Sequence, residues 1–466
     1  MQKILETRSF KIFFSFLAPF FCLSFFASIV NAENVNAENV NAENVNAENV
    51  NAENVNAENS APSIEWQKSF GGSDYDYASS IQITLEGGYI IAGRSSSNDG
   101  DVTENHGKFD YWIVNLDAQG TLKWQKSFGG SGFDSVHSIQ ITSDGGYIIA
   151  GRKEFTESDI PLNHGKGDYW IIKLDSQGNL LWQKFLGGSD YDEANCIQIT
   201  SDGGYIIAGY SSSSDGDVKV NRGGYDYWIV KLDSQGNLQW AKSFGGSKNE
   251  VPFSCQQTSD GDYIIAGYSY SNDGDVVENH GKGDFWIVKL DSQGTIKWQK
   301  SLGGSELDEA TSIQITLDGG FIVAGSTYSI DGDVTENHGG SDIWIVKLDS
   351  EGTLQWQKSF GGSGNESTRS IHQISDGGYI FVGSSKSNDG DVTGNHGDED
   401  YWLVKLNSQG TLLWQNSLGG SKKDVPFSTQ QTSDGGYIIA GYSFSTDGDV
   451  TGNHGHSDYW IVKLQR

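Results

Sequence analysis

The sequence predicts an all-β fold, a single seven-bladed β-propeller of four-stranded antiparallel blades. Three observations predict it: a strict 58-residue repeat, four strand signals inside each repeat, and a lone strand ahead of the first one. Tryptophan sets the repeat. Trp66, Trp124, Trp182, Trp240, Trp298, Trp356 and Trp414 form one evenly spaced series, and Trp112, Trp170, Trp228, Trp286, Trp344, Trp402 and Trp460 form a second. Together they use all 14 tryptophans, and nothing is inserted or deleted between them.

Within the first unit, Ala78–Thr84 reads as a short alternating strand, Leu85-Glu86-Gly87-Gly88 as a hairpin turn, and Tyr89–Gly93 as a β-rich apolar run. A long polar loop from Ser95 to Phe109 leads to a third strand, Asp110–Leu116. Asp117-Ala118-Gln119-Gly120 then turns the chain into a fourth, Thr121–Phe128. Both faces of most strands are apolar or aromatic, which suits a blade packed between two neighbours. Each tryptophan buries about 150–250 Å², a gross gain of about 5 kcal/mol, so both series are assigned to the inter-blade core. The seventh unit ends after its third strand, at Lys463-Leu464-Gln465-Arg466, while Ile64–Phe70 is a fourth strand with no blade of its own. Pairing the two closes the ring with the N-terminal strand completing the last blade, and leaves no open edge.

The strings GGYIIAG (203–209), DYWIVKLDSQG (226–236) and LQWQKSFGGS (354–363) resemble the tandem β-propeller repeats of secreted and surface bacterial proteins. The resemblance covers residues 64–466. It implies the propeller fold and brings no shared catalytic residues with it.

Composition agrees with a turn-dense, aromatic-packed chain: 61 Gly, 14 Trp, 20 Tyr and 22 Phe against one Met and five Pro. Lys plus Arg total 31 against 61 Asp plus Glu, a net charge of −30 that lies mostly in the repeats. Such a surface repels phosphate backbones and anionic lipid, so nucleic acid is excluded as a partner. At the N-terminus, Lys3, Arg8 and Lys11 precede an apolar run from Ile12 to Val30, and Val30-Asn31-Ala32 fits a signal-peptidase site. Residues 1–32 are therefore read as a signal peptide, 33–63 as a disordered linker built on Asn-Ala-Glu-Asn-Val, and 64–466 as the propeller. After cleavage no membrane-spanning segment is expected, the location is extracytoplasmic, secreted or at the cell surface, and a monomer is expected. Cys196 and Cys255 fall at adjacent repeat positions in neighbouring units; buried free thiols are the expected state, with a meeting of the two as the alternative.

Two loop sets are the candidate sites. The inter-blade link carries Asp76, Asp134, Asp192, Glu250, Asp308, Glu366 and Asp424, read either as carboxylates accepting backbone N–H bonds or as an acidic ligand-binding ring near the channel mouth. The long loop carries an Asp-Gly-Asp turn at Asp99 and Asp101, Asp215 and Asp217, Asp273 and Asp275, Asp331 and Asp333, Asp389 and Asp391, and Asp447 and Asp449, read as Asx-turn chemistry or as weak Ca2+ sites. The second unit breaks that pattern with Glu157-Ser158-Asp159. His106, His164, His280, His338, His396 and His454 stand about 51° apart around a sevenfold ring and cannot converge on one metal, so they read as loop hydrogen-bonders. Asp110, Asp168, Asp226, Asp284, Asp342, Asp400 and Asp458 read as strand-entry caps. No cofactor is required by any motif, and no phosphate loop, nucleophile elbow or zinc spacing is present. The expected function is a non-catalytic binding, adhesion or scaffold propeller with an acidic loop face, its partner a glycan, a surface protein or a cation. The alternative is a hydrolase or lyase degrading extracellular polysaccharide or peptide.

Overall fold

The computed structural model describes residues 60–155 and 165–466. Among these residues there are 28 strands, β1–β28 in chain order, and no helix. The first blade is β2 (Asp76–Ile83), β3 (Tyr89–Ser95), β4 (Asp110–Leu116) and β5 (Leu122–Phe128), hydrogen-bonded in that order, and the next five blades repeat it. The last has the order β1-β28-β27-β26: β1 (Ile64–Phe70) lies antiparallel to β28 (Asp458–Leu464), outside β27 (Tyr437–Ser443) and β26 (Asp424–Gln431). Seven four-stranded blades thus close into a ring, sealed by the N-terminal strand.

Closure is also made in the core. Tyr459 of the last blade packs at a tilt against Trp112 of the first, ring centroids 4.6 Å apart, and donates its hydroxyl to the Trp112 carbonyl at 2.9 Å. The same contact joins Tyr111 to Trp170, Tyr169 to Trp228, Tyr227 to Trp286 and Tyr401 to Trp460. Blade five has Ile343 where the others have an aromatic ring, and Phe381 fills the gap against Trp402. The two tryptophan series have different roles. Those of the third strands are buried, whereas Trp66 and its equivalents sit on the outermost strands, half-buried for the most part, under the turn glycines and against the tyrosine that opens a second strand. Only the first group is the full inter-blade wedge that both were expected to be, because an outer strand has neighbours on fewer sides.

The innermost strands β2, β6 (Ser135–Ile141), β10 (Asp192–Ile199), β14 (Glu250–Gln257), β18 (Asp308–Ile315), β22 (Glu366–Gln373) and β26 pack each on the next around the central channel. This proximity overturns the free-thiol expectation: Cys196 and Cys255, on β10 and β14 with Cα atoms 6.1 Å apart, form a disulfide. The two strands belong to different blades, but at the channel wall they lie close enough for side chains to bond.

Candidate functional site

The loops of the link face are held by the carboxylates picked out in the sequence. Asp76 accepts the Gly72 N–H and the Ser97 hydroxyl, each at 2.9 Å. Asp134, Asp192, Glu250, Asp308, Glu366 and Asp424 likewise accept the N–H of the glycine four residues earlier. All seven are 0–1% exposed. Burial outweighs these bonds at Asp76, Asp134, Asp192, Asp308 and Asp424 and pushes each carboxyl up to about 6.

The Asp-Gly-Asp turns dock on the same links. Asp99 accepts the Ser73 N–H at 2.7 Å, Asp101 accepts that of Gly71 at 3.2 Å, and the Asp101 N–H donates to the Gly71 carbonyl at 2.9 Å. Gly100 between them has φ 63°, and a Cβ there would meet the Gly71 carbonyl oxygen at 2.3 Å. Asp215 and Asp217 repeat the arrangement on the N–H groups of Ser189 and Gly187, and Asp273 and Asp275 on those of Ser247 and Gly245. Asp331 and Asp333 accept from Ser305 and Gly303, Asp389 and Asp391 from Ser363 and Gly361, and Asp447 and Asp449 from Ser421 and Gly419. The bonds that occupy these aspartates are not the local Asx turns expected from sequence but tertiary ones, to backbone N–H groups of the link 26 and 30 residues away. The Ca2+ expectation finds no ligand cluster to support it: among the described residues no group of three or more His, Cys, Asp or Glu side chains is placed to hold a metal. Each pair turns its oxygens onto the backbone N–H groups of its link, which already occupy them. His106, His280, His338, His396 and His454 hydrogen-bond the aspartate four residues on, as strand-entry partners. Arg222 substitutes at Asp226 through its N–H and extends its guanidinium to Asp275 at 3.1 Å. His164 and Glu157-Ser158-Asp159 lie outside the described residues.

The residues that break the sevenfold pattern are elsewhere. Each inner strand carries a β-bulge that leaves one residue out of the ladder: Ser79, His137, Asn195, Phe253, Thr311, Arg369 and Phe427. A bulge re-aims the side chain it frees. Here it turns each one along the channel wall, where none is buried. Asn195 donates to the Pro252 carbonyl and Thr311 to that of Thr368, both at 2.8 Å, each spanning to the next inner strand.

At the mouth end of blades one to three one of these positions, His137, joins residues of neighbouring strands and loops in a polar and aromatic cluster. Glu193 is its hub: Arg152 reaches it at 3.0 Å, Tyr210 donates at 2.7 Å, Ser135 at 3.0 Å, and His137 Nε2 lies 2.6 Å away. Burial opposes its charge, but His137, Arg152 and Tyr210 together hold the carboxyl well below the usual range. Arg94 lies over the rings of Tyr77, Phe109 and Phe133 at 5.0, 5.4 and 5.2 Å. Beside them opens a cleft of about 540 Å³ lined by Lys108, Phe133, Arg152, Glu154, Tyr191, Tyr210 and Tyr225. Rings continue round the mouth from Phe133 through Phe109, Tyr77 and Tyr442 to Phe427, neighbouring centroids 4.8, 6.0, 4.7 and 5.9 Å apart, and Arg369 sits over Phe427 at 5.6 Å.

A second cleft, about 350 Å³, lies on the hairpin face between blades one and two. Other blades pair a buried lysine with a turn aspartate, as in Lys231–Asp202 at 2.9 Å; here Asn115 replaces the lysine, and Glu86 pairs instead with Lys123. The lining of this cleft has two aromatic residues, Trp124 and Tyr147, against four in the mouth cleft.

Arg94, His137, Arg152, Glu193 and Arg369 belong to no repeated motif, and the recurring pattern therefore does not point to them. Comparing the units column by column would have shown these positions as the variable ones in otherwise near-constant strands.

No family model matches the chain. Regulatory protein FlaEY of Caulobacter vibrioides is 28% identical over 200 residues, 39% of this chain and 21% of that protein, so the chain spans about a fifth of the length of that relative. Among solved structures, the Pan2 WD40 domain of Neurospora crassa aligns with TM-score 0.46 and 11% identity over 84% of this chain and 91% of that one. Sqt1 from Chaetomium thermophilum aligns with 0.44 and 12% over 87% and 100%. These similarities are too remote to speak to a ligand.

Proposed function

We propose that the chain is an extracytoplasmic binding module whose ligand, a glycan or a surface protein, docks at the channel mouth. The observation that carries this reading is the concentration of non-repeating charged and aromatic residues there, on a scaffold otherwise near-identical in seven copies. A binding site is a concave surface with a few placed polar groups among apolar ones, and the cleft beside Arg152 has that character. The Cys196–Cys255 disulfide and the basic-then-apolar N-terminus support an oxidising location. Among the described residues no helix is long and apolar enough to cross a membrane. The test is the full-length protein on arrays of glycans and surface proteins. Tyr225→Ala at the mouth should abolish the leading interactions while Lys123→Gln on the hairpin face preserves them. Equal retention by both variants would move the site away from the mouth.

One observation favours the hydrolase or lyase alternative. Against burial, Glu193 is held ionised by His137 and Arg152, whereas Glu309, at the equivalent position two blades on, is pushed up by burial against the pull of Arg369, so the mouth offers one carboxylate of each kind. Turnover of a polysaccharide or peptide panel that is lost in Glu309→Gln would establish it, and absence of turnover would remove it.

A further inference from the structure

We propose that the mouth selects an acidic oligosaccharide, with a uronate carboxylate engaging Arg94 and the sugar rings lying along the aromatic arc that ends at Arg369. This rests on the mouth being the binding site and names what it binds. Exposed lysines such as Lys68 and Lys126 are solvated by water, so what stands out is a guanidinium nitrogen that is buried and has no acceptor. Arg152 has its partner in Glu193, whose oxygens are already shared with Tyr210, Ser135 and His137. Arg94 makes no ion pair or hydrogen bond among the described residues, and its buried Nε has no acceptor. Three ring faces surround its guanidinium and supply no lone pair, leaving the planar donor edge for an incoming group. A desolvated guanidinium with open donors costs free energy until an acceptor arrives, and its fork matches a carboxylate in two-point contact.

Arg369 repeats the arrangement at the other end of the arc. It is exposed and Phe427 lies under it; Glu309 is the carboxylate that acts on it most strongly, but the two make no ion pair or hydrogen bond. The nearby Glu399 is already engaged by Lys423 at 3.1 Å and by Lys386 at 3.8 Å. Between the two arginines the flat rings of Tyr77, Tyr442 and Phe427 follow one another at short steps. A chain of rigid rings bearing carboxylates at intervals satisfies both ends and the middle. A single peptide carboxylate would satisfy one arginine and leave the arc bare.

The test is titration of the full-length protein with oligogalacturonate, its methyl ester, maltohexaose and hexaglutamate, with thermal melting to confirm that each variant is folded. Oligogalacturonate should bind. Esterification should weaken it at least about tenfold, as should Arg94→Gln, the loss of one charge-assisted contact. Arg94→Lys should keep part of the binding, Arg369→Gln should weaken the oligomer more than a single uronate, and Lys123→Gln should change nothing. Equal affinity for maltohexaose, undiminished binding by Arg94→Gln, preference for hexaglutamate, or no binding of any uronate would each overturn the proposal. A neutral array ligand lost in Tyr225→Ala but not in Arg94→Gln would overturn it while leaving the mouth as the binding site. Failure of both variants to affect any ligand would remove the site itself.

Discussion

Asp76 and its four aspartate equivalents are acids that burial makes harder to ionise, with carboxyls pushed up from an ordinary 3.8 to about 6. The folded state therefore binds protons the unfolded chain has lost. The stabilisation this gives is complete below the unfolded value and is lost as pH rises through about 6. Asp144, Asp202, Asp260, Asp318 and Asp434 behave oppositely. Burial raises them, but the threonine two residues before and a lysine ammonium outweigh it or share in outweighing it, bringing each to about 2, so their contribution is present at neutral pH and lost on strong acidification. The two windows do not overlap. The melting midpoint should rise from pH 7 to about pH 5 and fall again below about pH 4, measurable by calorimetry across that range; a steady fall from pH 7 downward would contradict the assignment. Packing gives a second prediction at this scale. Trp228→Ala, in the inter-blade wedge, should cost about 3–5 kcal/mol, and Trp182→Ala, half-exposed on an outer strand, clearly less, as denaturant unfolding would show.

At the scale of elements, strands and turns were legible because their chemistry repeats. The run from Tyr89 and the strand Asp110–Leu116 were located from apolar and β-branched content, and the Leu85–Gly88 turn from its glycines, of which Gly87 adopts φ 80°. The inner strand was the least legible element. Its signal began at Ala78, while the ladder starts at Asp76, a carboxylate that belongs to the loop hydrogen bonds as much as to the strand. The bulge at Ser79 and its six equivalents was not legible at all, since a bulge is set by how two strands meet and leaves no fixed residue type. That is why Arg369 and His137, both bulged, escaped notice as site residues. The Asp-Gly-Asp loops carry their own prediction. Their carboxylates already accept backbone N–H bonds, so a calcium chelator should leave the melting midpoint unchanged. A clear drop with EDTA, reversed by Ca2+, would establish a calcium role.

For the whole molecule, ring closure and the seven-blade count followed from one arithmetical fact, a fourth strand in front and a missing one behind. The disulfide did not follow, because sequence spacing gives blade and position but not how near the inner strands of two blades come. Deleting residues 60–70 should expose the edge of β28 and leave a chain that aggregates or melts far below the intact protein. The asymmetry of the mouth is the feature on which the functional account depends. Its most direct measurement is hydrogen exchange of the full-length protein with and without the tightest binder from the arrays. Slowed exchange should be confined to the segments around Tyr77, Arg94, Phe133, Arg152, Tyr210 and Tyr225. Protection centred on the hairpin turns, or spread equally over all seven blades, would contradict it.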